Sequence, residues 1–565
     1  MNLADSLAIS RGVSFYRFIS VKICLVVFCT VLLPIWSQAQ TTVFPEWTAR
    51  FVGPGSQSIA DPTAIVADSQ GNSFVTGTVY ISTAAGPSLE ILTIKYDPDG
   101  HQLWKAFVSS PVGRAQPEDI ALDAVGNVYV AGALALHGPS NNPTDTEFVT
   151  IKYDTNGVRQ WIDSLAPPAG GNNFPVKLVV NPQTGVFVTG TAYLPNTQGS
   201  QILTIKYDFS GRLQWARQYP PITGASNTAA GMGMDAQENI YVAANSSHTN
   251  PMIYKFDVNG NLLKSFSSGE TSSIRAFYVD PQGNSYAGGC YSPGPMIAKT
   301  NSQGSLAWVH NLTPSSCLGG ILTDTNGNVF LSQTLRTNSG ATSDISVLKL
   351  NSNGVQQWQT QSNGQANGSG KDLAGSLVIN SQGNVYVTGD DTISNTETNL
   401  VTIKYSPSGQ QIWMQLYAKS GQINLARGIT IGGDGGLFVT AESVDVGVVN
   451  GNNDWLTIDY VQDAAKVAPS SLPFGNQAIN TQSAAQSVQL KNTTSAALNI
   501  TGITIGGDFH QTNNCPSILA AELSCTISVT FTPSALGSRS GTLSVSDPWE
   551  GSPQRVTLTG TGVSQ

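Results

Sequence analysis

Residues 93–104 read TIKYDPDGHQLW, and the chain writes this dozen again as TIKYDTNGVRQW (150–161), TIKYDFSGRLQW (204–215) and TIKYSPSGQQIW (402–413). Looser copies start at Ile253, Met296 and Val347, and an eighth, LTIDY (456–460), stops before any Trp. Each copy opens with the β-branched and aromatic alternation of a half-buried strand. Asp-x-x-Gly follows, a hairpin connection in which Asp accepts backbone hydrogen bonds and Gly takes a positive φ. A second motif alternates with the first: DSQGNSFVTG at Asp68, with further copies from Asp123, Asn181, Asp235, Asp280, Asp324, Asn380 and Gly432. It carries Gly71, Gly126, Gly283, Gly327 and Gly383 at the turn. One unit is therefore strand, turn, strand, variable loop, strand, turn and Trp strand, a four-stranded antiparallel meander.

The second motif returns every 44 to 58 residues, near the roughly 40 to 50 of a propeller blade. A lone twisted sheet leaves both apolar faces wet; stacking sheets around an axis covers them, and closing the ring leaves only short edges. Trp47, in FPEWTARFVG, sits in the context that the eighth copy lacks, so its strand is predicted to complete the last unit. The fold class predicted is all-β: an eight-bladed propeller (seven blades is the alternative, because the copies at Asp235 and Asp280 are short) followed by an immunoglobulin-like sandwich. Trp104, Trp161, Trp215, Trp308, Trp358 and Trp413 are expected to fill the space between neighbouring blades, with Lys264 in that position in the fourth copy. The recurring Lys (Lys95, Lys152, Lys206, Lys255, Lys299, Lys349, Lys404) reads as solvated or paired with acids five positions upstream, such as Glu90, Glu147, Asp344 and Asp454.

These units resemble the bacterial SBBP β-propeller repeats, a family named for seven blades, whose copy reads close to DxxGNVYVTG followed by TIKYD. The likeness runs over residues 42–461. It implies an exported or surface protein and brings no catalytic residues with it.

The N-terminus places Arg11, Arg17 and Lys22 before an apolar run over 23–36, then Ser37-Gln38-Ala39. That order predicts a signal peptide over 1–39, with Cys24 and Cys29 leaving at cleavage. A membrane anchor is the rival, but the run is short of the roughly 20 residues that span a bilayer. Four cysteines stay: Cys515 with Cys525 and Cys290 with Cys317 are the disulfide candidates of an exported chain. Only 11% of the 565 residues are charged and the net charge is −9, with no basic stripe, which argues against nucleic acid.

The repeat stops at AAKVAPSSLPFGNQAIN. The predicted organisation is signal peptide 1–39, propeller 40–462, linker 463–470 and sandwich 471–565. The strand runs after the linker alternate as in immunoglobulin-like sandwiches. SLPFGNQAI, VQLKNTTSAALNITGI and SCTISVTFTP resemble choice-of-anchor D domains, relatives of ASH and HYDIN-type modules, which commonly precede an anchoring tail.

No HExxH, GxSxG, P-loop or paired-Cys zinc pattern occurs. His101, His137, His248, His310 and His510 are scattered, and no catalytic, cofactor-binding or metal residue is assigned. Calcium is the one cofactor the Asp-rich turns suggest; at position twelve of a loop starting at Asp97 or Asp154, however, stand Val108 and Leu165 rather than Glu. The function expected is secreted, periplasmic or cell-surface binding or scaffolding by a monomer without a membrane span in its mature form. Its partner would be a glycan, peptide, matrix polymer or protein at a face bearing the loops at 78–90, 133–147, 390–399 and 441–454. The alternative is a propeller enzyme, a hydrolase, lyase or quinoprotein. YDxxGxxxW resembles the docking motif of quinoproteins, which bind pyrroloquinoline quinone and calcium through axial Glu, Asn, Asp and Arg.

Overall fold

Asp68 shows why the turn is spelled Asp-x-x-Gly-Asn. Its Oδ1 accepts the backbone N–H of Gln70 and of Asn72, both at 2.9 Å, and its Oδ2 accepts the Asn72 side-chain amide at 2.7 Å. Gly71 meanwhile takes φ +81°, a value that costs an L-residue about 1–2 kcal/mol. The same hydrogen bonds recur at Asp123, Asp280 and Asp324, with Gly126, Gly283 and Gly327, and Gly383 after Asn380, at positive φ. At Asp235 the position falls to Glu238 at φ +64°, held by the same Asp and Asn bonds.

The computed structural model describes residues 45–564 apart from 54–58, 84–85, 111–112, 136–145, 166–172, 195–198, 220–225, 270–272, 291–294, 313–315, 337–341, 363–370, 434, 447–452, 461–464, 470, 494–496, 522 and 548–551. The expected signal peptide, His137 and much of the loops at 133–147 and 441–454 lie outside them. Among the described residues the regular structure is strand throughout.

Each unit folds into the expected meander. Separate four-stranded sheets span 60–109, 115–165, 173–219, 227–267 and 274–311. The meanders over 316–362, 371–417 and 422–460 join into one twelve-stranded sheet through two single parallel bridges, Ser343 to Lys371 and Thr398 to Ile423. The first strand of every meander lies against the first strand of the next, and Gln422–Ile431 returns to Ala60–Ala67. The meanders therefore form a closed, propeller-like ring with these strands innermost.

Closure uses the chain's own beginning. Pro45–Val52 pairs antiparallel with Asn453–Tyr460, setting Pro45 opposite Tyr460 and Trp47 opposite Asp459. That strand is the fourth of the last meander. Elsewhere in the ring Trp stands opposite Lys, as in Lys95 with Trp104 and Lys152 with Trp161.

The interface between neighbouring sheets is a Trp against a turn. The Trp104 indole donates Nε1–H to the carbonyl of Thr155 at 3.1 Å, in the second hairpin turn of the next sheet. Trp161, Trp215, Trp308 and Trp358 do the same to Phe209, Val258, Ser352 and Pro407, and Trp47 does it to Pro98 at 2.9 Å. The indole lies where a Cβ would project from that turn's glycine: 2.5 Å at Gly157, 2.6 Å at Gly211 and 2.6 Å at Gly100. Trp47–Tyr96, Trp104–Tyr153, Trp161–Tyr207 and Trp413–Tyr460 all meet with ring centroids 5.9–6.0 Å apart and planes tilted by 37–40°. The closing contact is geometrically one of the series. In the fourth sheet Lys264 stands opposite Lys255 and donates to Gln303, while Phe266 fills the slot at Gly304.

Residues 465–564 form two facing four-stranded sheets, with Val488, Leu490, Ile527, Val529, Phe531, Leu543, Val545, Val556 and Leu558 in the core between them. Phe474, Phe509 and Phe531 stack within it. Ala465–Ala468, inside the span read as a linker, pairs with Gln486–Asn492. A four-residue strand is too short to show alternation, so the sequence hid it. Cys515 and Cys525 form a disulfide with Cα atoms 5.0 Å apart. Cys290 and Cys317 form another at 4.3 Å, joining the fifth meander to the innermost strand of the sixth.

Gly211→Ala and Gly421→Ala separate backbone strain from packing. Both sites have positive φ, but Gly421 has open space around its Cβ position. Each variant is expected to lose about 1–2 kcal/mol through φ, and Gly211→Ala a further 1–3 kcal/mol or so by displacing Trp161. Urea unfolding measures the difference; equal losses would contradict the indole contact.

Candidate functional site

Every innermost strand departs from regular pairing at one place, five residues before its first turn. The irregularities fall between Pro62 and Ala64, Pro117 and Asp119, Pro175 and Lys177, Ala229 and Gly231, Ile274 and Ala276, Leu318 and Gly320, Ala374 and Leu377, and Ala426 and Gly428. A bulge leaves a residue outside the ladder and re-aims its side chain. The residue left out is Glu118, Arg275 or Arg427 in three of the strands, and Asp119 and Lys177 resume the ladder directly after the bulge.

Arg427 is the most engaged. Its Nε donates to Asp61 Oδ1 at 3.1 Å, and a terminal nitrogen donates to Glu442. Glu442 also accepts the side-chain amide of Asn453. The guanidinium thus bridges the last meander to the first, while 34% of its side chain stays exposed. Burial raises the carboxyls of Asp61 and Glu442, and the neighbouring Arg427 offsets only part of this. Burial opposes the charge of Arg427 itself, but Asp61 and Glu442 hold its pKa above the usual value. Beside them Asp390 accepts the Ala426 N–H at 2.7 Å and is pushed up to about 6, chiefly by burial.

A second group lies on neighbouring inner strands. Asp119 accepts the Leu178 N–H at 2.8 Å and pairs with Lys177 at 2.9 Å. Burial, then the charge of Asp119, pushes Glu118 up to about 7. A third group is buried in the seventh meander: Asp372 and Asp391 face each other across adjacent strands, and Asn399 donates to Asp391 at 3.3 Å. Burial and the facing Asp391 hold Asp372 well above the carboxylate range.

The recurring Lys has partners other than the acids five positions upstream. Lys95 and Lys152 lie over the rings of Phe74 and Tyr129 at 5.0 and 5.2 Å. Lys152 and Lys206 also donate to Phe209 and Val258, the carbonyls that receive Trp161 and Trp215. Lys255 pairs with the turn residue Asp235 at 3.5 Å. Lys and Trp together grip one turn, which accounts for their joint recurrence. The turn carboxylates are engaged by their own loops, as at Asp97 with the N–H groups of Asp99 and His101. Among the described residues no three His, Cys, Asp or Glu side chains gather where a metal ion would fit. His101 pairs with Asp97 at the surface, and His248 contacts Ser247.

No family model matches the chain, and no curated protein matches it. Solved structures do. A polysaccharide lyase of family 25, an ulvan lyase, is similar over 72% of this chain and 95% of its own, at 10% identity and a TM-score of 0.39. The WD40 domain of SCAP from fission yeast is similar over 74% and 98%, at 12% identity and TM-score 0.37. The β-propeller domain of the Trilobed protease from Pyrococcus furiosus is similar over 60% and 93%, at 9% identity and TM-score 0.37.

Glu118 yields a pH test. A carboxyl whose folded pKa is pushed up to about 7, well above the ordinary glutamate range, binds more protons in the folded chain, so stability falls as pH rises from that range towards 7. Glu118→Gln is expected to raise the melting temperature at pH 8 relative to the parent, with the gain shrinking towards pH 4. A constant offset across that range would contradict the assignment.

Proposed function

We propose that this chain is an exported, eight-bladed propeller of SBBP type with a C-terminal immunoglobulin-like module of the choice-of-anchor D kind, and that it binds a neutral, hydroxyl-rich polymer, a glycan, at the inner strands of the ring. The Arg427 bridge carries the reading. A half-exposed guanidinium between Asp61 and Glu442 offers fixed donors and acceptors side by side. Its charge is already matched by those acids and by Asp390, which disfavours an anionic ligand and suits hydroxyls. The two disulfides fit an oxidising compartment, and among the described residues no helix is long and apolar enough to cross a membrane. Calorimetric titration of neutral and of uronate-bearing polysaccharides tests the idea. Binding of a neutral polymer, weakened at least tenfold by Arg427→Ala, is the expected result; a preference for the uronate polymer would overturn it.

A second reading, a hydrolase or lyase, draws on Glu118, whose pKa of about 7 suits proton transfer near neutral pH. Release of new chain ends by the purified protein, abolished by Glu118→Gln, is what that reading requires. A quinone-calcium site fits less well. Asp61, Arg427, Glu442 and Asn453 are the right residue types, but they are hydrogen-bonded to one another, with Glu442 accepting from both Arg427 and Asn453.

A further inference from the structure

The sandwich touches the ring at its closing strand. Pro45–Val52 is held in its sheet by pairing on one edge only, to Asn453–Tyr460. Glu46 on that strand is mostly buried, with 12% of its side chain exposed. Its Oε2 accepts from Lys466 Nζ at 2.9 Å, and its Oε1 lies 3.9 Å from Lys491 Nζ. Both lysines belong to the sandwich, and they are direct cross-strand partners: Lys466 on Ala465–Ala468 stands opposite Lys491 on Gln486–Asn492.

Like charges opposed across two strands are destabilising. This pair is tolerated because one carboxylate from the ring lies between them. The dependence runs both ways. Glu46 counters the paired lysines of the sandwich's edge strand, and the closing strand is pinned at its first residues by those lysines. Pro45 opposite Tyr460 also puts the start of the closing strand beside the point where the chain leaves the ring for the sandwich.

We propose that Glu46, Lys466 and Lys491 form a latch by which the C-terminal sandwich holds the propeller ring shut, so that ring opening and release of the sandwich are one coupled event. Partly buried charges of this kind are less screened than surface pairs but still weaken with salt. The sandwich then acts as a clasp for the ring as well as a module in its own right.

Hydrogen exchange of the full-length chain, read by mass spectrometry, tests the latch. Glu46→Gln is expected to speed exchange about fivefold or more, both in residues 45–52 and in the strand at 465–468, the size of coupling usual within one charge network. Glu46→Lys, which gathers three cations, is expected to be worse. The swap Glu46→Lys with Lys466→Glu restores an alternating set and is expected to recover most of the protection. Faster exchange in the closing strand with unchanged exchange at 465–468 would overturn the coupling. Failure of the swap to recover either strand would overturn the charge pairing. Both readouts are independent of any ligand, so they stand apart from the glycan reading.

Discussion

An indole resting on a glycine holds this molecule together. Each four-stranded sheet is apolar on both faces and gains little by itself. What joins one sheet to the next at the rim is a Trp whose ring occupies the space left by a turn glycine and whose N–H reaches that turn's carbonyl. Such a hydrogen bond contributes about 1 kcal/mol net, and a buried aromatic adds roughly 150–250 Å² of covered surface. The Lys opposite it on the adjacent strand shares the same carbonyl and lies over a Phe or Tyr ring. Repetition makes these modest terms decisive, because six interfaces share the indole hydrogen bond and the fourth substitutes Phe266 in the same slot.

Closure follows from that sameness. Trp47 reaches the first sheet from the last with the hydrogen bond, the glycine contact and the tyrosine contact of the other interfaces. The ring therefore needs no special device at its seam beyond borrowing a strand from the N-terminal side. That strand carries Glu46 towards the sandwich and Arg50 towards Asp454, so its polar residues add to the grip that Trp47 supplies. Inside the ring, the common bulge allows charged residues on strands that packing would otherwise keep apolar.

The meander, the turns and the closing strand were legible because they rest on local chemistry repeated many times: Asp and Gly at fixed turn positions, alternation on either side, and a Trp missing at one end and spare at the other. The blank in the fourth copy, Lys264, was legible as a substitution, but the compensation by Phe266 two residues later was not, since it depends on which face of the strand meets Gly304. The inner charges were hidden for another reason. Glu118, Arg275 and Arg427 occupy one offset, five residues before the turn, in strands whose other copies carry Thr63, Val176, Ala230, Gly319 and Gly375 there. A position held by six residue types across eight copies gives no repeat signal, although the fixed offset would have marked it once the bulge was known. The carbonyls that the lysines reach in the next sheet stayed hidden, because cross-sheet contacts cannot be inferred from spacing along one strand.

The closed ring is tested most directly by a cross-link over its seam. Ala49 and Thr457 are cross-strand partners there. A chain carrying Ala49→Cys and Thr457→Cys should form that additional disulfide spontaneously on oxidation of the folded protein, detected as a mobility shift on a non-reducing gel and by peptide mapping. Thiols that stay free in the folded chain, and link only after unfolding, would contradict a ring shut by its own first strand.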